Sequence, residues 1–280
     1  MSTFAVPARP GGIPGRVLGR LLAATVALSA AFFLAPPPLA AISPNGGYAD
    51  EEAVHDAVGS AFAGYWPTGD ATLTPDLQRL VDYWVRFHIF KGAFALVLLI
   101  VLATLGVRLW RAFLAAGDRG LGRRVALAAG GTFTAALGLF AVMLVMANIQ
   151  CTLAPLSSLA TFLDAGTTPA GLQAQLQTTV DTGAAASPPL QRLIDDFGYY
   201  HAVMAVLGTA AALAFAALSA QQWRRFARAV RPAARARRVF ATFATLAALT
   251  AVAFALLAFG NTGVAADPAP ALLAFFEGGW

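Results

Sequence analysis

The chain has 280 residues, of which 58% are hydrophobic and only 12% charged, with a mean hydropathy of +0.67. A soluble domain carries about 25% charged residues, so a soluble enzyme or binding module is excluded and a multi-span helical membrane protein is indicated. The net charge of +5 and pI near 10.0 do not point to nucleic acid, because the basic residues sit in short stretches between long apolar runs.

Five apolar segments follow in chain order, at roughly 17–35, 86–107, 125–147, 200–221 and 239–260. The first follows Arg9, Arg16 and Arg20 and runs into "PPPLAAIS"; residues 1–41 are expected to be a retained anchor helix or a signal peptide cut near Ala41. Residues 42–73 read as a loop with breakers at "SPNGG" and "PTGD". Between them lies a short amphipathic helix with Asp50 as its N-cap. The stretch 167–186 reads as a linker, with a polar helix at 170–180. Cys151 is the only cysteine, so no internal disulfide forms, and it reads as a small buried hydrophobe.

Charge sets the expected topology. Arg9, Arg16 and Arg20, the arginines of 108–124 and those of 221–238 stand opposite a single acid, Asp118. All other acids fall in the remaining regions, with only Arg79, Arg86, Lys91 and Arg192 for company. Basic loops mark the cytoplasmic side of a bacterial plasma membrane, which puts the N-terminus inside and the C-terminus outside. "WRRFARAVRPAARARR" is then a topology signal and a contact for anionic lipid headgroups. Abundant Ala, Gly and Arg with a single Lys point to a GC-rich bacterial genome.

The chain repeats itself at an offset of 113. "TPDLQRLVDYWVRFH" (74–88) falls on "SPPLQRLIDDFGYYH" (187–201), with seven of fifteen positions identical. Without a gap, Trp110, Arg111 and Phe113 fall on Trp223, Arg224 and Phe226, Asn148 on Asn261, Pro155 on Pro268, and Leu159 on Leu272. The expected fold is an all-α transmembrane four-helix bundle. It is built from a parallel tandem repeat of two-helix units (74–166 and 187–280), plus the N-terminal anchor or signal helix. Thr74-Pro75 and Ser187-Pro188 each predict a helix start, a hydroxyl N-cap before a Pro that needs no donor partner. After the second span of each unit, an apolar segment with Pro predicts a short interfacial helix, in which Leu159, Phe162, Leu272 and Phe275 serve as anchors.

Helical spacing predicts the candidate site. Arg79 faces Asp82, and Arg192 faces Asp195, as surface pairs or as a cross-repeat cluster of all four. His88 and His201 each follow an aromatic, Trp84 or Phe197, by one turn, and occupy equivalent positions at equal depth. Asn148 and Asn261 end the second span of each unit on the same side. Polar groups at that depth face a bundle interior. The expected pocket is lined by His88, His201, Trp84, Asn148, Asn261, Tyr199 and Tyr200. Its histidines either hold neighbouring carbonyls and amides or ligate a metal or haem iron, with His55 as a possible third ligand. No CxxC, CxxCH or HExxH pattern adds to the metal reading. Lys91, whose counterpart is Met204, either snorkels to headgroups or binds an anionic ligand beside His88.

Two resemblances accompany these residues. The "ANIQCTLAPLSSL" arrangement before a long loop resembles actinobacterial multi-span integral membrane proteins of uncharacterised function, which implies membrane residence. Trp84, His88 and Lys91 form an aromatic-xxx-His-xx-basic pattern similar to the last helix of the anthrone-oxygenase-like four-helix membrane family. That resemblance implies an oxidation resting on His88 and Lys91, and the second copy departs from it at Met204.

Three function classes follow. The first is a non-enzymatic envelope assembly or interaction protein, with a membrane or envelope protein as partner. The second is a redox or ligand-binding bundle using His88 and His201 for a metal, haem or quinone-like ligand. The third is a small transporter, disfavoured because no span interior carries a Pro or a deep acid.

Overall fold

The computed structural model describes residues 13–43, 46–116, 120–164, 166–229 and 234–279. Arg9, Pro44, Asn45 and Asp118, used above for topology and turns, lie outside the described residues, as do Arg119, Arg231 and Trp280. The described residues form helices and no strands. Among the described residues, five helices are long and apolar enough to cross a membrane: α1 (Gly15–Leu34), α4 (Pro75–Ala115), α5 (Leu121–Leu153), α8 (Pro188–Arg228) and α9 (Ala234–Ala266). The protein is therefore a multi-pass helical membrane protein. The shorter helices are α2 (Pro36–Ala40), α3 (Glu51–Tyr65), α6 (Pro155–Ala160), α7 (Leu172–Thr182) and α10 (Pro268–Phe276).

Local chemistry explains the boundaries. Asp50 caps α3 by accepting from the Ala53 N–H at 2.9 Å. Pro155 and Pro268 end α5 and α9, because proline pushes the residue before it out of the helical region. Ala154 (φ −129, ψ 71) and Asp267 (φ −143, ψ 85) have that backbone. Ser187 sits at the N-cap of α8 with extended backbone, but its hydroxyl caps no N–H. It bonds the Gln175 side-chain oxygen at 2.9 Å and ties α7 to the start of α8. The expected hydroxyl cap is corrected at this position: Gln175 offers a full acceptor, and Pro188 lowers the number of donors that need one.

α4 and α8 each have 41 residues, and α5 and α9 each have 33. A 41-residue helix is about 60 Å long, roughly twice the ~30 Å hydrocarbon thickness.

The chain divides into two compact units. One comprises Met1–Phe32 and Phe94–Leu144. Within it, Leu98, Leu102 and Ala141 form a small apolar cluster, with Leu28, Leu99 and Leu137 against it. Close approach of α4 and α5 rests on small residues. A Cβ added at Gly131 would meet the Trp110 ring at 2.9 Å.

The other unit comprises Phe33–Ala93 and Val145–Trp280. In it α8 and α9 form a hairpin, with the Phe215 and Phe254 rings stacked at 5.7 Å and the Ser219 hydroxyl donating to the Ala244 carbonyl at 2.8 Å. A β-carbon at Gly208 would lie 3.2 Å from Ala258. Much of the remaining α8–α9 apolar surface is open, as at Val206, Leu256 and Phe259, which suits contact with lipid tails.

The main hydrophobic core of this unit is a cap at the Pro75 and Pro188 ends of the long helices. It joins α3, the heads of α4 and α8, α6, α7 and α10. Leu77, Leu80, Leu159, Leu172, Leu176, Leu190 and Leu272 are almost fully enclosed there. Burying such a side chain contributes about 1.5–3 kcal/mol relative to leaving it exposed. The interfacial-anchor expectation for Leu159 and Leu272 is corrected: both are core residues. Phe162 and Phe275 pack half-buried against the same core. Ala40 is also enclosed, and its carbonyl accepts from Arg86 Nε at 3.0 Å.

Candidate functional site

A layer of buried polar side chains lies beneath the cap. His88, Asn148, Gln150, Ser157, Ser158 and His201 are all buried, and all belong to the same compact unit.

Helical spacing places the histidines as expected. His88 sits edge-on to Trp84, ring centroids 4.5 Å apart, and His201 sits likewise to Phe197 at 4.6 Å. His88 Nδ1 bonds the Trp84 carbonyl at 3.0 Å. A carbonyl oxygen only accepts, so Nδ1 carries the proton. His201 Nδ1 bonds Asn261 Oδ1 at 2.8 Å, while the Asn261 amide nitrogen donates to the Leu257 carbonyl at 2.8 Å. The second bond orients the amide, so His201 Nδ1 also carries a proton. Both imidazoles thus hold the tautomer in which Nε2 is the acceptor.

Asn148 packs its Cβ against α4 at Gly92, one turn from His88; a Cβ on that glycine would lie 3.3 Å away. Lys91 reaches back over the Phe87 ring, 5.0 Å from its centroid. Phe87 is one turn nearer the cap, the direction expected of a snorkelling lysine.

The second span and α6 supply residues that spacing alone did not single out. Trp84 Nε1 donates to the Ser158 hydroxyl at 2.9 Å. Ser157 donates through its N–H (2.7 Å) and its hydroxyl (2.8 Å) to one oxygen of Asp196. Gln150 donates to the Tyr200 carbonyl at 3.0 Å. A polar link therefore runs from His88 through the Trp84 carbonyl and ring N–H to Ser158 on α6, and a separate bond joins Gln150 to the Tyr200 carbonyl. Cys151 is a partly buried free thiol near the end of α5. Asp196 was detectable in principle, because it stands 113 positions after Tyr83, at the offset where the sequence repeats its phrase, and falls on the packed side of the α8 head.

Several expected partners separate. Arg79 pairs with Asp76, while Asp82 accepts from Gln78 at 2.7 Å. Asp195 accepts from Gln191 at 2.7 Å. Among the described residues, no ion pair joins Arg79 or Arg192 to Asp82 or Asp195, so the structure corrects both the paired and the four-residue cluster readings. Tyr199 is 51% exposed and leaves the site, while Tyr200 stays in it.

His55 stands apart from the other two histidines in its contacts. Its Nε2 lies 3.8 Å from Asp164, and its ring meets Phe162 at 6.3 Å. The Asp164 carboxylate also accepts from the Gly166 and Thr167 N–H groups. Those donors hold its pKa below the usual carboxylate value. Among the described residues, no three His, Cys, Asp or Glu side chains gather as a metal site, which corrects the third-ligand role of His55.

Three cavities are described on the cap. One of about 500 Å³ lies between α7 and the segment before α8, and one of about 500 Å³ lies between Asp164, Gln173 and Phe276. The third, about 350 Å³, lies between Tyr48, Ser60, Arg79 and Tyr83. None of these three is lined by His88 or His201. No protein-family model, curated protein or solved structure matches the chain.

Proposed function

We propose that this is a non-enzymatic envelope assembly or interaction protein of a bacterial plasma membrane, with the helical cap as its working surface. One observation carries the reading: the principal core of its unit is the cap, not the α8–α9 hairpin beneath it. A chain whose role lay wholly within the bilayer would not need six elements folded on one another beyond the spans. The cap faces outward in this reading and the Arg-rich loops face the cytoplasm, following the basic-loop rule. The expected partner is a membrane or envelope protein.

The two halves are, in this reading, copies of one two-span unit in parallel orientation. Their support is the shared phrase together with equal helix lengths at a constant offset of 113, Pro75–Ala115 against Pro188–Arg228 and Leu121–Leu153 against Ala234–Ala266. The burial of Ala40 and its bond to Arg86 favour a first segment that is retained rather than cut near Ala41.

The test is photocrosslinking in cells from exposed cap positions such as Asp195 and Gln177. Recovery of one specific envelope protein is expected. Recovery of lipid alone from every cap position refutes the interaction role.

A second reading, a His88/His201 ligand site for metal, haem or a quinone-like molecule, is favoured by the tautomers. Histidines that ligate a metal through Nε2 donate Nδ1–H to a carbonyl or a similar oxygen, as both do here. Its test is the absorption spectrum and metal content of the purified protein. A chromophore or stoichiometric metal lost in His88→Ala and His201→Ala supports it. A colourless, metal-free protein that also yields no quinone on solvent extraction refutes it.

A further inference from the structure

The end of the α8–α9 hairpin away from the cap separates its arginines into two kinds. Arg237 is committed to the fold. Its Nη1 donates to the Phe226 and Ala229 carbonyls at 3.2 and 3.0 Å, and its guanidinium lies 4.1 Å from the Phe226 ring centroid. It thereby satisfies carbonyls at the end of α8. Arg224, Arg225, Arg228 and Arg238 are exposed, and among the described residues none of them enters an ion pair. The stretch 221–238 contains no acid to neutralise them.

Their placement matches a bilayer's phosphate layer. Arg224, Arg225 and Arg228 follow the apolar run of α8, beside Trp223, which is 44% exposed and meets Phe226 edge-on, and Arg238 precedes the apolar run of α9. Arg224, Arg225 and Arg228 cover an arc of about 100° on one side of the helix. Topology alone does not require so many charges. At the matching positions of the first half, Ala112 and Ala115 stand where Arg225 and Arg228 stand. The second hairpin thus carries an added basic face.

We propose that Arg224, Arg225, Arg228 and Arg238 bind the phosphate groups of anionic phospholipids, while Arg237 holds the hairpin that presents them. Guanidinium forks match phosphate oxygens bidentately, and the exposed Trp sets the depth. This inference is independent of the function proposed above and of which side of the membrane the hairpin faces.

The test uses the full chain in mild detergent with phosphatidylglycerol or phosphatidylcholine, read by native mass spectrometry and by thermal unfolding. The wild type is expected to prefer phosphatidylglycerol. Each arginine near an anionic surface contributes roughly a fivefold preference, so R224Q/R225Q/R228Q loses on the order of a hundredfold. That variant should melt normally in phosphatidylcholine. R237Q should melt lower in phosphatidylcholine yet keep its lipid preference. R224K/R225K/R228K should retain most of the preference, which separates lost charge from a disturbed fold. An unchanged preference in the glutamine variant overturns the proposal, as does equal loss in R237Q. Displacement of phosphatidylglycerol by duplex DNA at 150 mM salt (roughly physiological) overturns it in favour of nucleic acid.

Discussion

Replacing Leu190 by Ala removes a side chain with no exposed surface from the centre of the cap, and Leu77→Ala does the same at the matching position of α4. Each change loses the transfer free energy of the deleted carbons and leaves a cavity that neighbours on several helices cannot all close. Leu→Ala in such a setting costs about 2–5 kcal/mol. For a chain of this size that lowers the melting temperature by roughly 5–15 °C. Leu256 is the control: it lies on α9 and is 66% exposed, so Leu256→Ala should change stability by no more than about 0.5 kcal/mol. Thermal unfolding in one detergent, followed by circular dichroism, compares the three. A Leu256→Ala shift equal to that of the two cap variants would refute the placement of the stabilising core in the cap.

Four further outcomes are expected. Asp196→Ala leaves the Ser157 N–H and hydroxyl without their acceptor and should cost about 1–3 kcal/mol, whereas Asp195→Ala, which loses only an exposed bond from Gln191, should be near neutral; paired melting curves decide. Trp84→Phe keeps the ring but deletes the bond to Ser158, and proteolysis within α6 should speed up about fivefold for a loss near 1 kcal/mol. Asp164 is held below its unfolded pKa, so its contribution is complete at neutral pH and disappears as pH falls through the lower folded value; Asp164→Asn should remove that acid step from a stability-versus-pH curve below about pH 4. Intact-mass measurement of the membrane-extracted protein should find Ala40 and the residues before it still attached, and a chain beginning near 42 would contradict retention.

Much of this protein was legible in one dimension. The five apolar runs, the Asp50 cap, the polar helix near 170–180 and the helix ends at Pro155 and Pro268 rest on local rules: span length, a side-chain oxygen within reach of its own helix, and a ring that lacks an N–H. The edge-on contacts of Trp84 with His88 and Phe197 with His201 followed from four-residue spacing in the same way. Other outcomes depended on elements far apart in the chain. Whether Arg79 turns to Asp76 or Asp82 is a choice between near-equal neighbours on an exposed helix face, which helical spacing leaves open. Ser187 turns from its own helix to Gln175, and Ser157 and Ser158 find Asp196 and Trp84, because folding brings α6 against two helix heads 74 and 39 residues away. Leu159 and Leu272 look the same in sequence whether they face lipid or protein. Hydrophobicity specifies that a side chain leaves water, and only the three-dimensional packing specifies what it meets instead.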